Sequence, residues 1–242
     1  MSVTFPQEFE ALLSKEGRRV LAGEKDHPAV GALQRGSFLA AQGLLDTAQL
    51  PALTRLISET FSDLTVEMAR VLPPANLSKV PFEDTLPKVG SMRTVPSDGP
   101  LGFIARKLSD EIGLTKMCFS ESFHRFCEAL AGERLAPVNS GQVLNNRRGD
   151  YAGPHTDHHP DDAALENGYV DVHLTFCTPG VREQFIVYQR DGHLSAIEPI
   201  AVSGTITAYR LPLWHYTTPL QTSTPEDRRW LVLATFPFAP AP

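Results

Sequence analysis

Cysteine is scarce in this chain: Cys118, Cys127 and Cys177 are the three in 242 residues, widely spaced and without a CxxC pair. An odd, dispersed set excludes a disulfide framework and a cysteine-based structural zinc site, and reads as buried thiols of a reducing compartment. Basic residues are also short, 22 Lys and Arg against 28 Asp and Glu, a formal charge of -6. That balance argues against a nucleic-acid surface, although it leaves room for a local basic patch such as Arg147-Arg148. Long apolar runs are missing, so no membrane span is expected. The opening "MSVTFPQEFEALLSKEG" places acids where a secretion signal needs a basic start and an apolar run. The expectation is a soluble cytoplasmic protein. What is present is apolar residues, 42% of the chain, enough for a proper core in one domain or one domain with an added lobe.

The texture changes near Pro137. Before it, apolar residues recur at helical spacing in "FEALLSKEGRRVLAG", "LPALTRLISETFSDLTVEMARVL" and "LGFIARKLSDEIGL". Leu53, Leu56, Ile57, Phe61, Leu64 and Met68 form one stripe on the second of these. "SESFHRFCEALAG" is a further helix, with Ser120 as N-cap and Gly132 at its end. "LPPANLSKVPFEDTLPKVG" and "VPSDGPLG" read as loops. Beyond Pro137 come short β-branched and aromatic runs, "GQVLNN", "YVDVHLTFCT", "EQFIVYQ", "GTITAYR" and "RWLVLATF". Helices followed by a block of strands predict an α+β chain: residues 1–136 mostly helical and packed on the core, and 137–242 an antiparallel sandwich or barrel, the two together forming one structural domain.

The densest chemistry lies in "YAGPHTDHH", Tyr151 to His159. If "GPHTD" ends a strand, alternation puts His155 and Asp157 on one face with Thr156 opposed. A lone His-X-Asp is most commonly a surface pair or a strand-end hydrogen bond. One more histidine would convert it into a facial triad of two histidines and a carboxylate, the ligand set of non-haem iron(II) oxygenases. His215 in "YRLPLWHYTTP" is the best candidate, on a different strand and shortly before the last one. His158 and His159 lie too close to Asp157 to close the same face and read as solvated residues at the pocket mouth. His173 reads equally as a core histidine, and His27, His124 and His193 are assigned no role.

The segments "GQVLNNRRGDYAGPHTD", "GTITAYRLPLWHYTTPL" and "RRWLVLATF" together resemble the iron(II)- and 2-oxoglutarate-dependent dioxygenase superfamily, in particular its prolyl-hydroxylase-like branch, over roughly Pro137 to Phe238. The resemblance implies a double-stranded β-helix (jelly roll) core in the second half, braced by helices from the first. It implies His155, Asp157 and His215 as catalytic iron ligands and Arg229 as the anchor for the far carboxylate of 2-oxoglutarate. Arginine suits that task because its planar fork holds a carboxylate through two charge-assisted bonds. Arg228 faces the other way on an alternating strand; both faces are apolar, so alternation leaves the choice open and the resemblance favours Arg229. On "YVDVHLTFCT" the face carrying His173, Thr175 and Cys177 is read as the inner one, so Thr175 becomes a co-substrate donor, and Tyr151 lines the pocket if its strand runs unbroken to His155.

The implied reaction consumes 2-oxoglutarate and O2, releases succinate and CO2, and hydroxylates an unactivated C–H bond of a small molecule such as an amino acid or natural-product intermediate, or of a peptide. Two departures bear on substrate: Asn146 stands where many relatives have tyrosine, and "REQFIVYQ" replaces a familiar "GGE". The rival readings are a cupin-like metalloenzyme that uses no 2-oxoglutarate and a non-catalytic β-sandwich binding module.

Overall fold

A computed structural model describes residues 3–71, 89–138, 140–157 and 168–240. Its strands are β1 (Phe38–Ala41), β2 (Val66–Val71), β3 (Val89–Thr94), β4 (Ser140–Asn146), β5 (Tyr169–Cys177), β6 (Val181–Glu183), β7 (Phe185–Arg190), β8 (His193–Pro199), β9 (Ile206–Leu211), β10 (His215–Thr217), β11 (Gln221–Thr222) and β12 (Arg229–Pro237). Seven of them form one sheet in the order β1-β9-β5-β12-β4-β3-β2. A second sheet has the order β10-β7-β8, and β11 pairs with β6. The pairings between named strands are all antiparallel.

Alternation sorts the large sheet into two chemically distinct faces. Val170, Val172, Leu174 and Phe176 of β5 and Trp230, Val232, Ala234 and Phe236 of β12 are buried in one core with Phe9, Leu53, Ile57, Phe61, Phe123, Phe126 and Leu130 from the helical segments. Ring contacts tie helix to sheet, Phe123 to Phe236 at 5.7 Å and Phe5 to Phe176 at 5.9 Å between centroids. Such edge contacts add to a burial term of roughly 2–3 kcal/mol per large apolar side chain. The opposite face, carrying Asp171, His173, Arg229, Leu231, Leu233 and Thr235, lines a cavity.

The helix Glu121–Ala131 follows the sequence signals: the Ser120 hydroxyl accepts from Phe123 N–H at 3.2 Å, and Gly132 closes it at φ 72°. Helix Leu50–Phe61 buries Leu50, Leu53, Ile57 and Phe61 along one stripe but stops at Phe61. The sequence reading carried it on to Met68, and this is corrected. After a short turn at Ser62–Leu64 the chain enters β2, whose Val66 and Met68 pair with Thr94 and Met92. Strand partners later in the chain override the helical spacing here, and Met68 becomes a cavity wall. The region 1–136 therefore supplies β1, β2 and β3 to the large sheet as well as the helices that cover it. Most of the loop expected at "LPPANLSKVPFEDTLPKVG" lies outside the described residues, as do His158 and His159. Among the described residues, no helix is long and apolar enough to cross a membrane.

Candidate active site

Two pieces of chain that are far apart in sequence meet at the site. His155 forms an isolated antiparallel bridge with His215, the first residue of β10. Each donates its backbone N–H to the other's carbonyl at 3.0 Å. Their rings lie 4.3 Å apart between centroids. Asp157, at φ 50°, turns its carboxylate back between them, with Oδ1 3.1 Å from His155 Nε2 and Oδ2 3.5 Å from His215 Nε2. The Tyr169 hydroxyl donates to the Asp157 carbonyl and holds that turn from β5. Ligand atoms of all three residues lie within 4.8 Å of one another.

Tautomers follow from the second nitrogen of each ring. His155 Nδ1 lies 2.7 Å from Gly153 O and His215 Nδ1 2.9 Å from Leu213 O. A carbonyl only accepts, so each Nδ1 carries a proton and each Nε2 is the atom turned toward Asp157. Burial pushes His215 down to about 4, with His155 beside it adding to the effect, so the ring is neutral near pH 7. Burial alone would raise the Asp157 carboxyl, but His155, His215 and His173 around it hold it well below the usual carboxylate range. Two imidazole nitrogens turned to one shared carboxylate form a donor set that suits a divalent transition metal.

Arg229 sits on the same cavity at 2% exposure. Its Nε donates to Ile200 O at 3.1 Å, Nη1 to Gln184 Oε1 at 3.0 Å and Nη2 to Thr175 Oγ1 at 3.5 Å. No carboxylate pairs with it among the described residues. Burial lowers its pKa, yet arginine stays cationic near neutral pH. A buried guanidinium without an acid is costly unless a ligand supplies one. Arg228 points the other way, to Pro225 and Asp227 carbonyls, so of the two arginines it is Arg229 that lines the cavity. Thr175 is fully buried at the base of Arg229 and does not itself line the cavity. Tyr151 departs from expectation: Ala152–Pro154 are not strand, and Ala152 and Gly153, not Tyr151, line the cavity. The Asn146 departure acquires a role, since its Nδ2 donates at 3.3 Å to the Gln184 oxygen that Arg229 also uses.

Three contributors escaped the sequence reading. Gln184 is wholly buried beneath Arg229 and donates to Asp150 O and Thr218 O; nothing in "REQFIVYQ" marked it. Tyr209 stands beside His215 and His173, ring centroids 5.1 and 4.9 Å away. Asp171, the one acid in the apolar strand "YVDVHLTFC", was visible as an anomaly and lines the cavity at 5% exposure. His173 also lines it; burial, with Arg229 and His215 adding, pushes that ring down to about 3. His27 accepts from Ala29 N–H and His124 lies 3.1 Å from Leu135 O, both distant structural uses. The cavity holds about 380 Å³, within the range of small-molecule sites.

No protein-family model and no curated protein matches the sequence. Solved structures do. A non-heme α-ketoglutarate-dependent epimerase, SnoN of nogalamycin biosynthesis, aligns over 90% of this chain and 83% of its own at 16% identity and a TM-score of 0.56. Its complex with Fe3+, α-ketoglutarate and nogalamycin RO aligns over 90% and 86% at 15% identity and 0.51. An oxidoreductase of the 2OG-Fe(II) oxygenase family from Burkholderia pseudomallei aligns over 97% and 95% at 11% identity and 0.53. The chain has the fold of the 2-oxoglutarate- and iron(II)-dependent oxygenases.

Proposed function

We propose that this protein is an iron(II)- and 2-oxoglutarate-dependent oxygenase, with the large sheet and the β10-β7-β8 sheet as the two walls of a double-stranded β-helix. One observation carries the reading: the His155, Asp157 and His215 cluster opens into the same cavity as Arg229, a buried cation without an acid partner among the described residues. The donor set fits iron(II), two imidazole Nε2 atoms and one carboxylate on one side of the metal, with further positions left for ligands. The solved relative that holds Fe3+ and α-ketoglutarate in this fold supports it.

His155, Asp157 and His215 would hold the metal, and Arg229 would hold the far carboxylate of 2-oxoglutarate. When bound, iron with 2-oxoglutarate and O2 supplies the oxidising power, releasing succinate and CO2 and hydroxylating a substrate C–H bond. The chain's own work is positional. The Gly153 and Leu213 carbonyls fix the two imidazole tautomers, as the outer partners of metal-ligating histidines do elsewhere. Gln184 and Ile200 orient the guanidinium. Met68, Met92, Leu144, Leu231 and Leu233 give the cavity apolar walls that exclude water. A cavity of this size favours a small-molecule substrate over a folded protein.

Anaerobic addition of iron(II) and 2-oxoglutarate tests the reading through the weak visible metal-to-ligand charge-transfer band. A band that needs both additions supports it. Metal binding without that band would replace it with a metalloenzyme that uses no 2-oxoglutarate, and no metal binding would leave only a ligand-binding module.

A further inference from the structure

The cavity is polarised along two neighbouring strands. Arg229 begins β12, and the residues that follow on its face are Leu231, Leu233 and Thr235. On β5 the register sets Thr175 opposite Leu231, His173 opposite Leu233 and Asp171 opposite Thr235. Six residues of strand separate Arg229 from Thr235, about 20 Å along the backbone. A cation thus marks one end and a carboxyl the other, with Leu231 and Leu233 between them on β12 and Thr175 and His173 paired to those leucines on β5.

Among the described residues, Asp171 has one polar side-chain partner. The Thr235 hydroxyl donates to its Oδ1 at 2.5 Å, and no cation pairs with it among the described residues. A carboxyl in a cavity wall at 5% exposure is expensive to ionise unless a donor or positive charge meets its second oxygen. Burial accordingly raises it to about 7, against the opposing Thr235 bond. Asp157 is engaged by His155 and His215, which leaves Asp171 as the cavity acid without a charged partner.

We propose that Asp171 and Thr235 form a cation subsite and that the substrate carries a protonated amine on an apolar body, seated at the end of the cavity away from Arg229. Calling this ligand the substrate rests on the oxygenase reading; the subsite itself does not. The ammonium would donate to Asp171 Oδ2 while Met68, Met92 and Leu233 cover the hydrocarbon.

The test is anaerobic calorimetry on the protein loaded with manganese(II) and 2-oxoglutarate, at about pH 8, with hexylamine, 1-hexanol and hexanoate as probes. Hexylammonium should bind about tenfold or more tightly than 1-hexanol, the worth of one charge-assisted hydrogen bond, with hexanoate weaker still. Asp171→Asn should remove that preference; a preference that survives there comes from the metal or another acid and overturns the proposal. Equal binding of amine and alcohol by the parent protein overturns it without any variant, and Asp171→Glu supplies a charge-retaining comparison if the asparagine form does not fold. If the charge-transfer band fails to appear while the amine preference is found, the oxygenase reading falls and the cation subsite stands.

Discussion

His155 and His215 are joined by two backbone hydrogen bonds of 3.0 Å, each donating to the other. Two histidines sixty positions apart therefore meet in a pairing that fixes both imidazoles on one face. A slip of one residue in this bridge would turn one ring to the opposite side. Asp157 needs no such long-range device. Two positions after His155, at φ 50°, it folds back onto both rings.

Asp157→Ala removes the carboxylate that both histidines face. Manganese(II) or iron(II) affinity, read by calorimetry, should fall by more than about tenfold, since changes even to outer partners of metal ligands typically cost 10–100-fold. Metal should raise the melting temperature of the parent protein by mass action and leave that of the variant unchanged. A variant that binds metal as the parent does would remove Asp157 from the ligand set. His155→Ala should behave alike and should lose succinate formation.

Arg229→Ala should leave metal affinity within a few-fold of the parent while weakening 2-oxoglutarate binding by about 30-fold or more, the cost of losing one side of a buried charge pair. Arg229→Lys should recover only part of it, because an ammonium lacks the fork that meets Gln184, Thr175 and a carboxylate together. Titrating 2-oxoglutarate into manganese-loaded protein separates the outcomes: unchanged affinity in Arg229→Ala would place the co-substrate anchor elsewhere.

How much of this was legible in the sequence depends on the range of the interactions involved. The candidate ligands are short-range or motif-like: His-X-Asp is local, and His215 and Arg229 stand at recognisable points of two strand-like segments. Alternation sorted Val172, Leu174 and Phe176 from His173 and Thr175 correctly, because one face of β5 meets helices and the other a cavity. Three things were not legible. Met68 continues a helical stripe in sequence, and only its pairing with Met92 makes it strand. Tyr151 shares parity with His155, but the non-strand residues Ala152–Pro154 break the rule that parity depends on. Gln184 lies between β6 and β7, where no periodicity applies, and its contact with Arg229 spans 45 positions.

Asp227 is a test of how far positioning extends from the cavity. Its Oδ1 accepts from the Thr178 hydroxyl at 2.8 Å and from Gly180 N–H at 3.0 Å, and its Oδ2 from the Thr224 backbone at 2.9 Å and hydroxyl at 2.8 Å. This clamp ties the turn before β12 to the end of β5, two residues from Arg229. Asp227→Ala should cost on the order of 1–2 kcal/mol of stability and raise the 2-oxoglutarate requirement by less than Arg229→Ala does. Thermal melts with and without 2-oxoglutarate read both effects. An unchanged requirement would show that Gln184 and Ile200 fix the guanidinium without help from the turn.

Asp171 predicts a stability difference whose sign follows from linkage. Its folded pKa is raised from 3.8 to about 7 by burial, so between those values the folded chain holds a proton that the unfolded chain has released. Stability from this group is present at low pH and lost as pH rises through that window, and by about pH 8 the folded state bears the full cost of a buried carboxylate. Asparagine keeps an acceptor for the Thr235 hydroxyl and does not titrate. Asp171→Asn should therefore melt higher than the parent at about pH 8, by on the order of 5 °C, with the gap closing toward pH 5. Metal-free melts in EDTA keep the metal out of the comparison, and Asp157, whose charge adds to the rise at Asp171, is present in both proteins. A gap of the same size at both pH values would mean that Asp171 titrates as an ordinary carboxylate, and that the cavity end where it sits is wetter than its burial implies.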